Sequence, residues 1–75
     1  MRVRKPFVVT FGRMDGTATK HIFPDTREQA LALLNALSYV FFLKHEFKSS
    51  QCQSFKRVEN DEWFIEFDPV RSIPS

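Results

Sequence analysis

Apolar residues along the chain fall into two alternating blocks on either side of one helical block. Phe7-Val-Val-Thr-Phe11 is rich in β-branched and aromatic residues, so a strand is predicted to begin at about Phe7, just after Pro6. Asp15-Gly16 is the clearest turn signal, and it suits a two-residue type I′ hairpin in which both central residues take positive φ. That turn pairs Met14 with Thr17, Val9 with Ile22 and Val8 with Phe23. One face of the hairpin then carries Phe7, Val9, Phe11, Ala18 and Ile22 and is expected to pack on the helix. The other carries Val8, Thr10, Gly12, Met14, Thr17, Thr19 and His21, the mixed composition of a solvent-facing side.

The helical block runs from Asp25 to Leu43. Asp25 is the predicted N-cap, with Glu28 completing a capping box and Pro24 discouraging helix upstream. Ala30, Leu33, Leu34, Leu37, Val40 and Phe41 recur at helical spacing as one apolar stripe, while Glu28, Asn35 and Ser38 fall on other faces. Tyr39 to Leu43 is apolar without a break, so these side chains point in every direction. Lys44 and His45 suit a helix C-terminus, and the helix is expected to reach about Lys44, leaving Tyr39 and Phe42 off the core stripe. A strand is expected over about Gln51–Val58, anchored by Phe55 and Val58, then a turn at Glu59-Asn-Asp61. Glu62–Asp68 alternates, with Trp63, Ile65 and Phe67 on one side and Glu62, Phe64, Glu66 and Asp68 on the other. The fold class is α+β: hairpin, helix, hairpin (ββαββ), an antiparallel sheet with one helix packed across it. The pattern leaves open whether the hairpins join edge to edge.

The whole chain, residues 1–75, reads as one small domain, with residues 1–6 a basic lead-in and residues 69–75 a loose tail. A chain this short buries only about 60% of its unfolded surface, and the aromatic content, nine Phe with one Trp and one Tyr, offsets that thin margin. The net charge of +2 does not by itself argue for nucleic acid, but it is unevenly spread. Residues 1–24 carry Arg2, Arg4, Lys5, Arg13 and Lys20 against Asp15; Glu59, Asp61, Glu62, Glu66 and Asp68 are grouped near the other end without a Lys or Arg among them. A basic end and an acidic end are therefore expected. Cys52 is alone, so no internal disulfide forms and a reducing cytoplasm is the expected home. No run of about 18 apolar residues exists to span a membrane, and Phe7–Phe11 is too short for the apolar core of a signal peptide.

Candidate chemistry is sparse. His21, His45 and Cys52 are the only nitrogen or sulfur ligands of the usual kind, without a Cys-x-x-Cys or a paired His, so no metal is expected. A Cys52–His45 nucleophile pair has nothing to fix its geometry, and the two glycines, Gly12 and Gly16, make no phosphate-binding loop. No catalytic set and no cofactor are expected. Protein binding fits best: Tyr39 and Phe42 stand off the stripe, Phe64 points to the acidic side of its strand, and Glu62, Glu66 and Asp68 offer charge beside them. A homodimer burying the same surplus is an alternative. Nucleic-acid binding is the other, through Arg2, Arg4, Lys5, Arg13 and Lys20, although the acidic strand would repel phosphate.

In size and layout the chain resembles the small phage-encoded anti-CRISPR proteins. The likeness rests on the Asp15-Gly16 hairpin, the Asp25–Leu43 helix and the final Glu62–Phe67 strand, and on no shared motif. It implies a stoichiometric inhibitor in the host cytoplasm that docks on a bacterial CRISPR effector or another nucleoprotein complex, blocking nucleic-acid access or nuclease recruitment. The near-neutral charge departs from the strongly acidic members that mimic DNA; only Glu59–Asp68 has that character locally.

Overall fold

A computed structural model describes residues 7–51 and 53–69. The lead-in 1–6, the tail from 70 onward and Cys52 lie outside the described residues. The elements follow in the order β1 (Val8–Arg13), β2 (Lys20–Ile22), α1 (Arg27–Val40), a short 3-10 turn (Ser49–Gln51), β3 (Lys56–Glu59) and β4 (Trp63–Asp68). The α+β class and the ββαββ order are those the pattern predicts. The hairpins do join: the sheet order is β2-β1-β4-β3, every pairing antiparallel, with β1 and β4 side by side from Val8↔Asp68 to Arg13↔Trp63. Both hairpin turns therefore sit at one end of the sheet, and Met14 N–H bonds Glu62 C=O across them at 2.8 Å.

The first hairpin keeps the predicted register, Val9 opposite Ile22, but its turn differs. Asp15 does not take positive φ; only Gly16 does, at 89°. Gly16 N–H bonds Arg13 C=O and Arg13 N–H bonds Thr17 C=O, so the loop has three residues, Met14 to Gly16. That leaves Arg13–Thr17 one residue out of step with the Phe11↔Lys20 pair. Ala18 takes up the extra residue in left-handed backbone, φ 56°. The bulge folds over Gly12, where a Cβ would lie 2.9 Å from Thr19 Cα, so this strand position requires the missing side chain. The bulge also keeps β2 to three residues, all exposed. Ala18 and Ile22 are thus not covered by the helix as expected.

The helix starts one residue later than the Asp25–Glu28 box implies. Thr26 is the N-cap: its hydroxyl accepts from Gln29 N–H at 3.1 Å, and Gln29 Oε1 accepts from Asp25 N–H at 3.1 Å. It ends at Val40, short of Lys44. Phe42 N–H bonds Tyr39 C=O at 3.3 Å and Leu43 N–H bonds Ser38 C=O at 2.9 Å, the paired bonds of a Schellman ending, with Phe42 in left-handed backbone at φ 59°. Lys44, φ 57°, turns the chain again, and it returns alongside the helix.

That return is held by Asn35 and Ser38, two of the three helix residues placed off the apolar stripe. Ser38 is buried; its hydroxyl donates to His45 C=O at 2.7 Å and accepts from His45 N–H at 3.2 Å. One turn back, Asn35 Oδ1 accepts from Phe47 N–H at 2.7 Å and its amide donates to Phe47 C=O at 3.1 Å. The strap so fixed lays Leu43 and Phe47 into the core beside Ala30, Leu34, Val9, Ile65 and Phe67. Trp63 and Phe41 stack in parallel, ring centres 4.2 Å apart, and Phe41 meets Phe11 at 5.8 Å. Val40, assigned to the core stripe, is exposed instead, because the stripe turns from Leu37 to Phe41 as the helix closes. β3 begins at Lys56 rather than near Gln51, since the strap and the 3-10 turn use up the intervening chain, and Phe55 is exposed.

Asn35→Ala strands the paired groups of Phe47 in a part-buried site and is expected to cost about 1–3 kcal/mol, read by urea unfolding. In the hairpin, the Thr17 hydroxyl and then its N–H donate to Asp15, with Arg13 close by, holding that carboxyl below the ordinary aspartate value. A folded pKa below the unfolded one gives stabilisation that is present above the ordinary value and lost as pH falls through the folded one. An NMR titration should place Asp15 below the ordinary aspartate value, and Thr17→Val should move it back up part of the way.

Candidate docking surface

Among the described residues, the three most exposed large hydrophobic side chains lie together at the helix ending. Tyr39 is 85% exposed, Val40 59% and Phe42 76%. With Ser38 at the base and Lys44 at the lip, these residues line a shallow groove. Lys44 and Glu46 also line a second, more open hollow that shares Ser38 and Tyr39 with it. Single exposed hydrophobic residues are ordinary; three adjacent ones are not. Phe42 is the telling member. Left-handed backbone costs a residue with a Cβ about 1–2 kcal/mol, and glycine would relieve it. The ring gains little burial in exchange.

Asn60 holds this bend from the sheet side. Its amide donates to Phe41 C=O at 2.9 Å and to Phe42 C=O at 3.4 Å, satisfying carbonyls the helix leaves open. Its Oδ1 meanwhile accepts from Glu62 N–H and Trp63 N–H, both at 2.8 Å, shaping the β3–β4 turn. One side chain thus fixes both the aromatic bend and the turn that carries Asp61 and Glu62. Among the described residues those two carboxylates have no ion-pair partner.

The expected partner-binding residues therefore separate into two groups. Tyr39 and Phe42 share the groove, with Glu62 on the adjoining turn. Phe64, Glu66 and Asp68 lie on the outer sheet face, away from the helix. There Arg57, directly opposite Glu66 on β3, pairs with both Glu66 and Glu59 and lies 4.5 Å over the Phe64 ring. The hydrogen bond it donates to Glu59, first, and the one it donates to Glu66 hold that guanidinium more firmly protonated than usual. Glu66 and Phe64 are half-buried beneath it, and Asp68 is exposed at the far end of β4. The linear run of acids is thus part-neutralised from the neighbouring strand. Val40 and Asn60 are the members that sequence reasoning missed; the unbroken apolar run 39–43 was the signal for the first, and nothing in the turn's composition marked the second.

Of the basic residues, Arg2, Arg4 and Lys5 lie outside the described residues. Arg13 sits 5.0 Å over the Trp63 ring and 3.9 Å from Asp15, and Lys20 is exposed on β2, opposite Phe11. His21 Nδ1 is hydrogen-bonded to the Thr10 hydroxyl at 2.9 Å, while His45 is edge-on to Phe47 with its Nε2 buried and unpartnered. Among the described residues no three His, Cys, Asp or Glu side chains are gathered to hold a metal, and no helix is long and apolar enough to cross a membrane. Compared with protein-family models, characterised proteins and solved structures, the chain matches none.

Relief of the strained backbone can be measured directly. Phe42→Gly should raise stability by about 1 kcal/mol, an increase of about 4–8 °C in melting temperature for a domain this small, whereas Phe42→Ala should not.

Proposed function

We propose that the protein is a non-enzymatic binding protein that docks through Tyr39, Val40 and Phe42 on a larger protein. The observation that carries this reading is Phe42, a large apolar side chain held outward at a backbone position where it costs stability. A residue that neither packs nor relaxes the fold is best accounted for by something it meets outside the chain. Aromatic rings on a fixed frame are the usual anchors of protein interfaces, since few torsions are lost on binding. The likeness in layout to anti-CRISPR proteins makes a bacterial nucleoprotein effector the first partner to try. On such a target the groove would act as a wedge on the protein component, in keeping with an inhibitor that works by occupancy.

The test is affinity capture from a nuclease-treated bacterial lysate, run side by side with the wild type, Tyr39→Ala and Phe42→Gly. A partner bound by the wild type and retained after nuclease should be lost from both variants, with dissociation constants weakened about 30-fold or more, as for an aromatic hot spot. Phe42→Gly is the stricter arm, because it is expected to be the more stable protein. Equal capture by wild type and variants, or loss of all bound protein on nuclease treatment, overturns the reading.

A further inference from the structure

The groove is apolar, yet its rim is not electrically neutral. Lys44, at the lip of the groove, and Glu46, which lines the adjoining hollow with it, contribute one charge of each sign. The β3–β4 turn carries Asp61 and Glu62, tied to the bend by the Asn60 amide on Phe41 and Phe42 and without an ion-pair partner among the described residues. The neighbouring β1–β2 turn, bonded to the same end through Met14 and Glu62, adds Asp15, matched by Arg13. The helix directs its electronegative C-terminus to this end with no basic residue in its last turn. Lys44, Glu46, Asp61, Glu62, Arg13 and Asp15 together carry two positive and four negative charges, so the net charge beside the aromatic side chains is negative.

Resting on the docking reading above, we infer that the occupant of the groove is a cationic amphipathic segment of a protein. An apolar side chain of that segment lies among Tyr39, Val40 and Phe42, and a lysine or arginine faces Asp61 and Glu62. Phosphate, whether of nucleic acid or of an anionic membrane, meets the same carboxylates with like charge, so neither fits this corner. The outer sheet face is a poorer host for the same cation, because Arg57 already occupies Glu59 and Glu66.

Two short synthetic peptides with the same leucine positions, one bearing lysines and the other glutamates, test this when titrated into the isotope-labelled protein. The lysine peptide should shift the amides of Tyr39, Phe42, Asp61 and Glu62. It should bind about tenfold more tightly than the glutamate peptide at low salt, the gap closing as salt rises. The double variant Asp61→Asn/Glu62→Gln should keep the fold and lose the preference. Equal binding of both peptides at the corner overturns the inference while leaving the docking reading in place. So does a preference that survives the double variant, or a lysine peptide whose shifts centre on Glu66 and Asp68. If neither peptide touches the corner the inference also falls, and the docking reading then stands or falls by the capture experiment.

Discussion

Residues 41–48 are largely irregular in structure yet pack against the core, and the arrangement depends on meeting their backbone hydrogen-bonding needs without water. Three side chains do so. Ser38 serves His45, Asn35 serves Phe47, and Asn60 serves the carbonyls of Phe41 and Phe42. Each is a short polar group that copies the donor or acceptor of a neighbouring strand. With those bonds made, Leu43 and Phe47 can lie over the sheet, and a single helix suffices for a domain that would otherwise lack a second covering layer. The outward aromatic corner is the other product of the same bend.

Much of the architecture was legible because it follows from periodicity. Alternation in Phe7–Phe11 and Glu62–Asp68, and the helical spacing of Ala30, Leu34 and Phe41, bring the core residues to one side. The details that escaped reading were those decided by partners distant in the chain. Asn35 and Ser38 look like a solvated face until a strap twelve or seven residues later turns back onto them. Ile22 looks like a core residue until the bulge at Ala18 shortens β2. Gly12 carries no turn signal; its need for a bare backbone appears only when Thr19 crosses it. For the candidate site, the exposure of Tyr39 and Phe42 follows from a stripe too narrow to hold five consecutive apolar residues, whereas the clamp by Asn60 has no local signature.

Charge behaves in the same way. A stretch without Lys or Arg between Glu59 and Asp68 reads as an acidic patch along the chain. In the sheet, lateral neighbours count as much as sequential ones, and Arg57 lies across from Glu66. What is left uncompensated is not the strand but its turn, at the molecule's end. Electrostatic character thus moved by a few residues, from the face of a strand to the rim of a groove, once strand pairing was known.

The pairing of β1 with β4 has a further consequence. Val8 and Asp68 face each other at the end of the sheet opposite the turns, so the described chain enters and leaves side by side. The fold is nearly a closed ring of chain, with the aromatic corner at the far pole, about 20 Å of strand away. Such a unit can be spliced into a surface loop of another protein with little demand on the host backbone, carrying its groove outward like the head of a bolt.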